Sequence, residues 1–183
     1  FRAPVAKQPW TGMLDAGAFG PMAPQPVGGV QVKYWGLDAP VDEDCLTLNV
    51  WTPHADDGCR PVMVWIHGGA FVVGSSRRLA TTGEHLSLRG DVVVVTVNYR
   101  LGALGWSALD EVAGDELAGS GNNGLLDQAL ALEWVRDNIG FFGGDPANVT
   151  VFGESAGAIS VALLLTSPSA KGLIHRAVLD RQS

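Results

Sequence analysis

Apolar and polar positions alternate along residues 46–51, where Leu46, Leu48 and Val50 stand against Thr47 and Asn49. A period of two puts neighbouring side chains on opposite faces of a strand, so this segment predicts a strand with one wet face. Residues 61–66 and 91–97 read differently, as short and nearly continuous β-branched runs bounded by Gly or Pro. Such runs suit central strands buried on both faces, and residues 149–152 form a third of the same kind. Between them the period lengthens. Leu125, Ala129, Leu132, Val135 and Ile139 fall near one face of a helix over 125–139, which ends at Gly140 with Arg136 in its last turns. A small-residue apolar helix is expected over 156–165, stopping before Ser167-Pro168, and residues 177–179 open another buried strand. The first forty residues lack this periodicity, and Pro21, Pro24 and Pro26 block regular ladders there. Strands alternating with helices predict an α/β fold, a mostly parallel sheet with helices on both faces. One domain over 1–183 accommodates the whole pattern.

Composition narrows the function classes. The 183 residues are 46% hydrophobic and 17% charged, which suits a soluble globular chain and argues against disorder. A net charge of −7 disfavours nucleic acid or anionic lipid as a partner. The apolar runs at 92–95 and 161–165 are far short of the roughly 18–20 residues that cross a bilayer, so no membrane span is expected. No basic start leading into an apolar stretch marks a targeting signal at residue 1. The 2 cysteines match neither a disulfide framework nor a zinc spacing, so no metal is expected. The simplest reading is a buried Cys45 and a free Cys59 in a polar turn. Compartment, whether cytoplasmic or secreted, and oligomeric state stay open.

Candidate chemistry concentrates at Phe152-Gly153-Glu154-Ser155-Ala156-Gly157. Gly-x-Ser-x-Gly between a buried strand and a helix describes a nucleophile elbow, a tight turn that lifts the serine hydroxyl above the sheet. Gly153 and Gly157 would sit where strand and helix backbones approach, leaving no room for a side chain. With ten serines and 24 glycines, random placement gives roughly 0.2 such matches, so the spacing means little without its strand-to-helix setting. That setting is predicted here. A second feature supplies what acyl transfer at a serine requires. After the strand at 61–66 comes His67-Gly68-Gly69-Ala70-Phe71, whose consecutive glycines let main-chain N–H groups turn inward. Such donors stabilise a tetrahedral oxyanion, and losing one typically costs roughly 2.7–4 kcal/mol in the transition state. The candidates are the N–H groups of Gly68, Gly69 and Ala156. His67 immediately precedes the donor loop, so its expected role is to fix that loop by hydrogen bonds rather than to move a proton.

At this point the residues resemble those of a known family. Glu43-Asp44-Cys45-Leu46-Thr47-Leu48-Asn49-Val50-Trp51 is similar to the EDCLxLNVW signature of type-B carboxylesterases, the cholinesterase group. His67–Phe71 resembles their HGGxF loop and Asn98-Tyr99-Arg100-Leu101-Gly102 their NYRLG turn. Leu125-Leu126-Asp127-Gln128 and Phe142-Gly143-Gly144-Asp145-Pro146 resemble the stretch leading into their FGESAG elbow, in the same order along the chain. The resemblance implies an α/β-hydrolase fold and a serine esterase that acts on a small-molecule ester without metal or organic cofactor. It implies that Ser155 attacks the carbonyl, that a His activates it and that an acid orients the His. It further implies a field contribution from Glu154 and a buried structural pair between Arg100 and Asp127. Trp35 and Phe71 fall near the family's substrate pocket, although a plain core or wall role for Trp35 is the simpler expectation. Trp106 is expected in the core.

Departures from the pattern set further expectations. In this fold the triad runs Ser, acid, His along the chain. Beyond Ser155 the only histidine is His175 and its nearby acid is Asp180, in reversed order. His175 is expected to pack below the next strand, which leaves the base and its acid outside these residues. Phe1-Arg2-Ala3-Pro4 resembles the middle of the family's RFxxP segment. The chain therefore reads as an internal fragment of a longer member, inactive alone. Ala23 stands where the family places a cysteine bridged to the one at Cys45. Asn148-Val149-Thr150 matches a glycosylation acceptor, but its position at a strand entry predicts turn hydrogen bonds instead. A non-catalytic binding or adhesion relative is the competing class, and retention of Ser155 with both pairs of glycines weighs against it.

Overall fold

The structure is a computed structural model that describes residues 1–26 and 39–180. Among the described residues five strands form one sheet: β1 (Leu48–Trp51), β2 (Arg60–Ile66), β3 (Val93–Val97), β4 (Gly144–Glu154) and β5 (Arg176–Asp180), in the order β1-β3-β2-β4-β5. β1 runs antiparallel to β3, and the other three pairings are parallel. Four α-helices of more than four residues accompany them in the described residues: α1 (Glu84–Gly90), α2 (Gly102–Trp106), α3 (Asn123–Asn138) and α4 (Ala156–Thr166). The mostly parallel α/β architecture expected from the alternation is present.

The register explains why the β-branched runs read as central strands. Val62, Val93 and Val149 align across the sheet, followed by Val64, Val95 and Val151. These face the same side, where they join Leu132, Val135 and Ile139 from and just after α3, and Val161 and Leu164 from α4. Burying such side chains contributes roughly 1.5–3 kcal/mol each, so this layer is the main hydrophobic term. The opposite face is covered unevenly. The entry to α1 packs over Val94 and Trp51, where a methyl on Gly83 would lie 2.6 Å from Val94. Met63, Trp65 and Phe152, aligned on that same face, stay half-buried, and Val178 beside them is exposed.

Four expectations need correction. Residues 177–179 do not form a buried strand: among the described residues β5 pairs with β4 alone, and Val178 and Leu179 are 55% and 44% exposed. The polar face of β1 is not wet. Asn49 donates to the hydroxyls of Ser76 and Thr96, each at 3.0 Å, so its polarity is satisfied inside a network. β4 begins five residues earlier than the β-branched run, at Gly144, because the register shifts between Arg60 and Val62 and lets residues 145–148 bulge. Within that bulge Ala147 donates to Asp145 at 2.8 Å, and Asn148 pairs with the side chain of Arg176 rather than with turn backbone.

The two cysteines are free, Cys45 buried and Cys59 exposed. Ala23 and Cys45 both belong to the core cluster. Arg100 and Asp127 form the expected buried pair, with Nε to Oδ2 at 2.8 Å and Nη2 to Oδ1 at 2.6 Å. The Arg100 main-chain N–H also donates to Asp127 at 3.0 Å, so one carboxylate holds both the turn after β3 and the start of α3.

Candidate functional site

Open parallel sheets gather their chemistry at the carboxyl ends of the strands, and that is where β2, β3 and β4 deliver their following loops. Ser155 lies between β4 and α4 with φ 55° and ψ −118°, a left-handed conformation for a residue with a side chain. Strain of this kind costs on the order of 1–3 kcal/mol and persists only where the surroundings over-determine it. Here they do. A methyl on Gly157 would lie 2.1 Å from the Ile66 carbonyl oxygen, and one on Gly153 2.6 Å from the Gly157 carbonyl carbon. The Ser155 N–H donates to the Asp180 carbonyl at 3.0 Å, and its carbonyl accepts from Ile159 at 3.1 Å. The side chain that results is exposed, and it caps no helix N–H.

The loop after β2 closes over the same point. A methyl on Gly68 would lie 2.7 Å from the Glu154 carbonyl oxygen, 3.0 Å from Glu154 Oε2 and 3.3 Å from the Ser155 Cβ. Glu154, Ser155 and the Gly68 main chain therefore meet at one spot. Ala156 is the first residue of α4, so its N–H lies outside the i→i−4 pattern. Gly69 starts a tight turn in which its carbonyl accepts from Val72 and Val73, each at 3.0 Å. Phe71 follows at φ 61°; its carbonyl accepts from Gly102 at 2.8 Å, and its ring lies 4.4 Å from that of Trp106.

His67 sits behind this loop, 4% exposed. Its Nδ1 lies 2.8 Å from the Gly68 carbonyl oxygen. A carbonyl only accepts, so Nδ1 carries the proton. Burial lowers the imidazole pKa from 6.5 to about 4, against the hydrogen bond to Gly68, which raises it. The ring stacks on Tyr99 at 4.4 Å, and the Tyr99 hydroxyl donates to the His67 carbonyl at 2.7 Å. Burial in turn pushes the Tyr99 phenol well above its ordinary pKa. Tyr99 is a residue that the sequence reading passed over. Its clue was an aromatic with a polar tip just beyond a wholly β-branched strand.

His175 occupies the far end of the sheet. It exchanges hydrogen bonds with Val149, its N–H donating at 2.9 Å and its Nδ1 accepting at 3.2 Å. Val149 is six residues before Ser155 along β4, roughly 20 Å at strand rise. Trp35 lies outside the described residues. Among the described residues no group of three or more His, Cys, Asp or Glu could hold a metal ion, and no helix is long and apolar enough to cross a membrane.

Comparison with known proteins follows the same lines. The model of the carboxylesterase family matches residues 1–181. The para-nitrobenzyl esterase of Bacillus subtilis (strain 168) is 49% identical over 98% of this chain and 36% of that protein. Carboxylesterase 3B of Mus musculus is 48% identical over 97% of this chain and 31% of its own length. Among solved structures, a thermophilic PNB esterase aligns with a TM-score of 0.88 at 47% identity, covering 97% of this chain and 36% of that one. An esterase from Clostridium hathewayi, described as hydrolysing aliphatic aromatic polyesters, aligns with a TM-score of 0.90 at 46% identity, covering 96% and 36%. The chain thus spans about a third of the length of these relatives, and its fold is the α/β hydrolase fold they share.

Proposed function

Since the chain belongs to the carboxylesterase family, we propose that it carries the nucleophile and the anion-stabilising donors of a serine hydrolase for small carboxylic esters. The observation that carries this reading is the meeting of an exposed, strained Ser155 with the main chain of Gly68. Ser155 Oγ attacks the ester carbonyl as its proton passes to a base. The resulting oxyanion accepts hydrogen bonds from the N–H groups of Gly68, Gly69 and Ala156, helped by the N-terminal dipole of α4. Collapse of the intermediate breaks the bond to the alcohol, which leaves with a proton from the same base. Water then attacks the acyl-serine by the reverse sequence and releases the acid.

Neither His67, in the donor loop, nor His175, which follows the elbow in sequence, serves as the base. His67 spends its Nδ1 proton on Gly68, is buried, and resists protonation to about pH 4. His175 is bonded into the opposite end of β4. We therefore assign the base and its orienting acid to polypeptide beyond these 183 residues, and relatives about three times as long leave room for it. His67 acts as a loop-fixing residue and Glu154 adds a carboxylate beside the nucleophile. Phe71, backed by Trp106, forms a wall of the acyl or alcohol pocket.

The test uses the intact protein. A fluorophosphonate probe should label Ser155, short p-nitrophenyl esters should be cleaved, and Ser155→Ala should lose both. An intact protein that neither labels nor turns over ends this reading. The 183-residue segment alone should not turn over, and efficient hydrolysis by it would place the base within these residues.

A further inference from the structure

We infer that Gln25 is a positioning residue for the oxyanion-stabilising loop, acting through Gly74; this rests on the serine-hydrolase reading above. Gln25 lies in the proline-rich N-terminal loop, 49 residues from Gly74. Its side chain nevertheless makes two reciprocal bonds there, with Oε1 accepting from the Gly74 N–H at 2.8 Å and Nε2 donating to the Gly74 carbonyl at 3.0 Å. A second Nε2 bond, to the Ala23 carbonyl at 3.0 Å, fixes the amide against its own loop. Both ends of the carboxamide are thus committed, which also determines which way the amide faces.

Gly74 is where that grip matters. It is buried at φ +125°, and a methyl there would lie 2.3 Å from His67 Nδ1 and 2.6 Å from the Gly68 carbonyl oxygen. The Gly74 main chain is therefore the back wall of the His67–Gly68 hydrogen bond. Loop residues 67–74 leave β2 and double back on themselves, so their return limb sets where the Gly68 and Gly69 N–H groups point. That limb is held by two clamps. Ser76 is tied to Asn98 and Asn49 beside the strands, at 2.8 and 3.0 Å. Gly74 is tied by Gln25, half-buried in a segment that forms no strand or helix of its own. Oxyanion donors act by being held in place before charge develops, so losing this clamp weakens the transition state more than the bound ester.

The experiment compares intact protein with its Gln25→Met and Gln25→Glu variants on a short p-nitrophenyl ester, with fluorophosphonate labelling and thermal melting alongside. Met preserves the length of the side chain and removes every hydrogen bond. It should lower kcat roughly tenfold to a hundredfold while KM stays within about twofold. Glu keeps an acceptor for the Gly74 N–H but, when ionised, cannot donate to the Gly74 carbonyl. Its kcat relative to the unsubstituted protein should rise as pH falls and the carboxyl regains an O–H donor. A purely structural role would lower the melting temperature without that pH-dependent rescue. Folded Gln25→Met with kcat within about twofold of the unsubstituted protein overturns the assignment, as does a loss confined to KM. Should Gln25→Met fail to fold, a pH-independent kcat ratio for Gln25→Glu overturns it equally. An unsubstituted protein that neither labels nor turns over instead overturns the serine-hydrolase reading, and this inference falls with it.

Discussion

Arg100 at the carboxyl edge of the parallel strands and Arg60 at their amino edge each hold aspartate, but in opposite surroundings. The Asp127 side chain that pairs with Arg100 is wholly buried. Arg60 reaches Asp56 and Asp91, whose side chains are 48% and 76% exposed. Each edge also has one free cysteine, buried Cys45 beside the Arg100 pair and exposed Cys59 next to Arg60. The chemistry is nearly the same, so what differs is access to water. At the amino edge water can replace a lost partner. At the buried Asp127 pair it cannot, and an unpaired charge or donor there would have to stay dry. The Arg100–Asp127 pair beside the candidate site thus depends on its protein partner in a way that the Arg60 pairs do not.

That contrast can be broken by experiment. Asp127→Ala should cost on the order of 3–5 kcal/mol in urea unfolding, because it leaves the Arg100 guanidinium and main-chain N–H without their shared acceptor. A small loss there would mean that water reaches the Arg100 guanidinium once the carboxylate is gone. Next in size is pH dependence from His67. Its pKa is about 6.5 unfolded and about 4 folded, so below pH 6.5 the unfolded state takes up a proton that the folded state refuses. Stability should therefore be full above about pH 6.5 and fall by about 3 kcal/mol as pH drops toward 4, a slope that His67→Gln should flatten. At the other edge, Asp91→Asn should barely move the urea midpoint, since that pair is open to solvent. The smallest effect is chemical rather than energetic. Iodoacetamide at pH 8 should alkylate Cys59 in the folded protein and Cys45 only after unfolding, because burial lifts the Cys45 thiol to about 11. Mass spectrometry of peptides distinguishes the two.

Much of this was legible in the residues. The β-branched runs at 61–66 and 91–97 became central strands because dense valine suits a strand buried on both faces. The elbow was legible because close approach of strand and helix excludes side chains, which only glycine at 153 and 157 allows. The Arg100–Asp127 pair came from resemblance alone, since nothing in the spacing of residues 27 apart says that they touch. The reading went astray where environment overrides local pattern. Apolar residues at 177–179 suggested burial, but Val178 and Leu179 are exposed on a strand that pairs with β4 alone among the described residues. Asn49 suggested a wet face, whereas Ser76 and Thr96 satisfy it within the fold. Gln25 in a proline-rich loop gave no signal, because its partner is main chain and a glycine advertises no acceptor.

By itself, then, the sequence determined the strand and helix periods, the position of the elbow and the run of glycines before it, since these follow from constraints within a few neighbouring residues. Tertiary structure alone decided that Gln25 would hold Gly74, and that the Asp127 carboxylate would be dry while Asp56 and Asp91 stay open to water. Those outcomes depend on distances between segments far apart in the chain, and on how much water each junction admits.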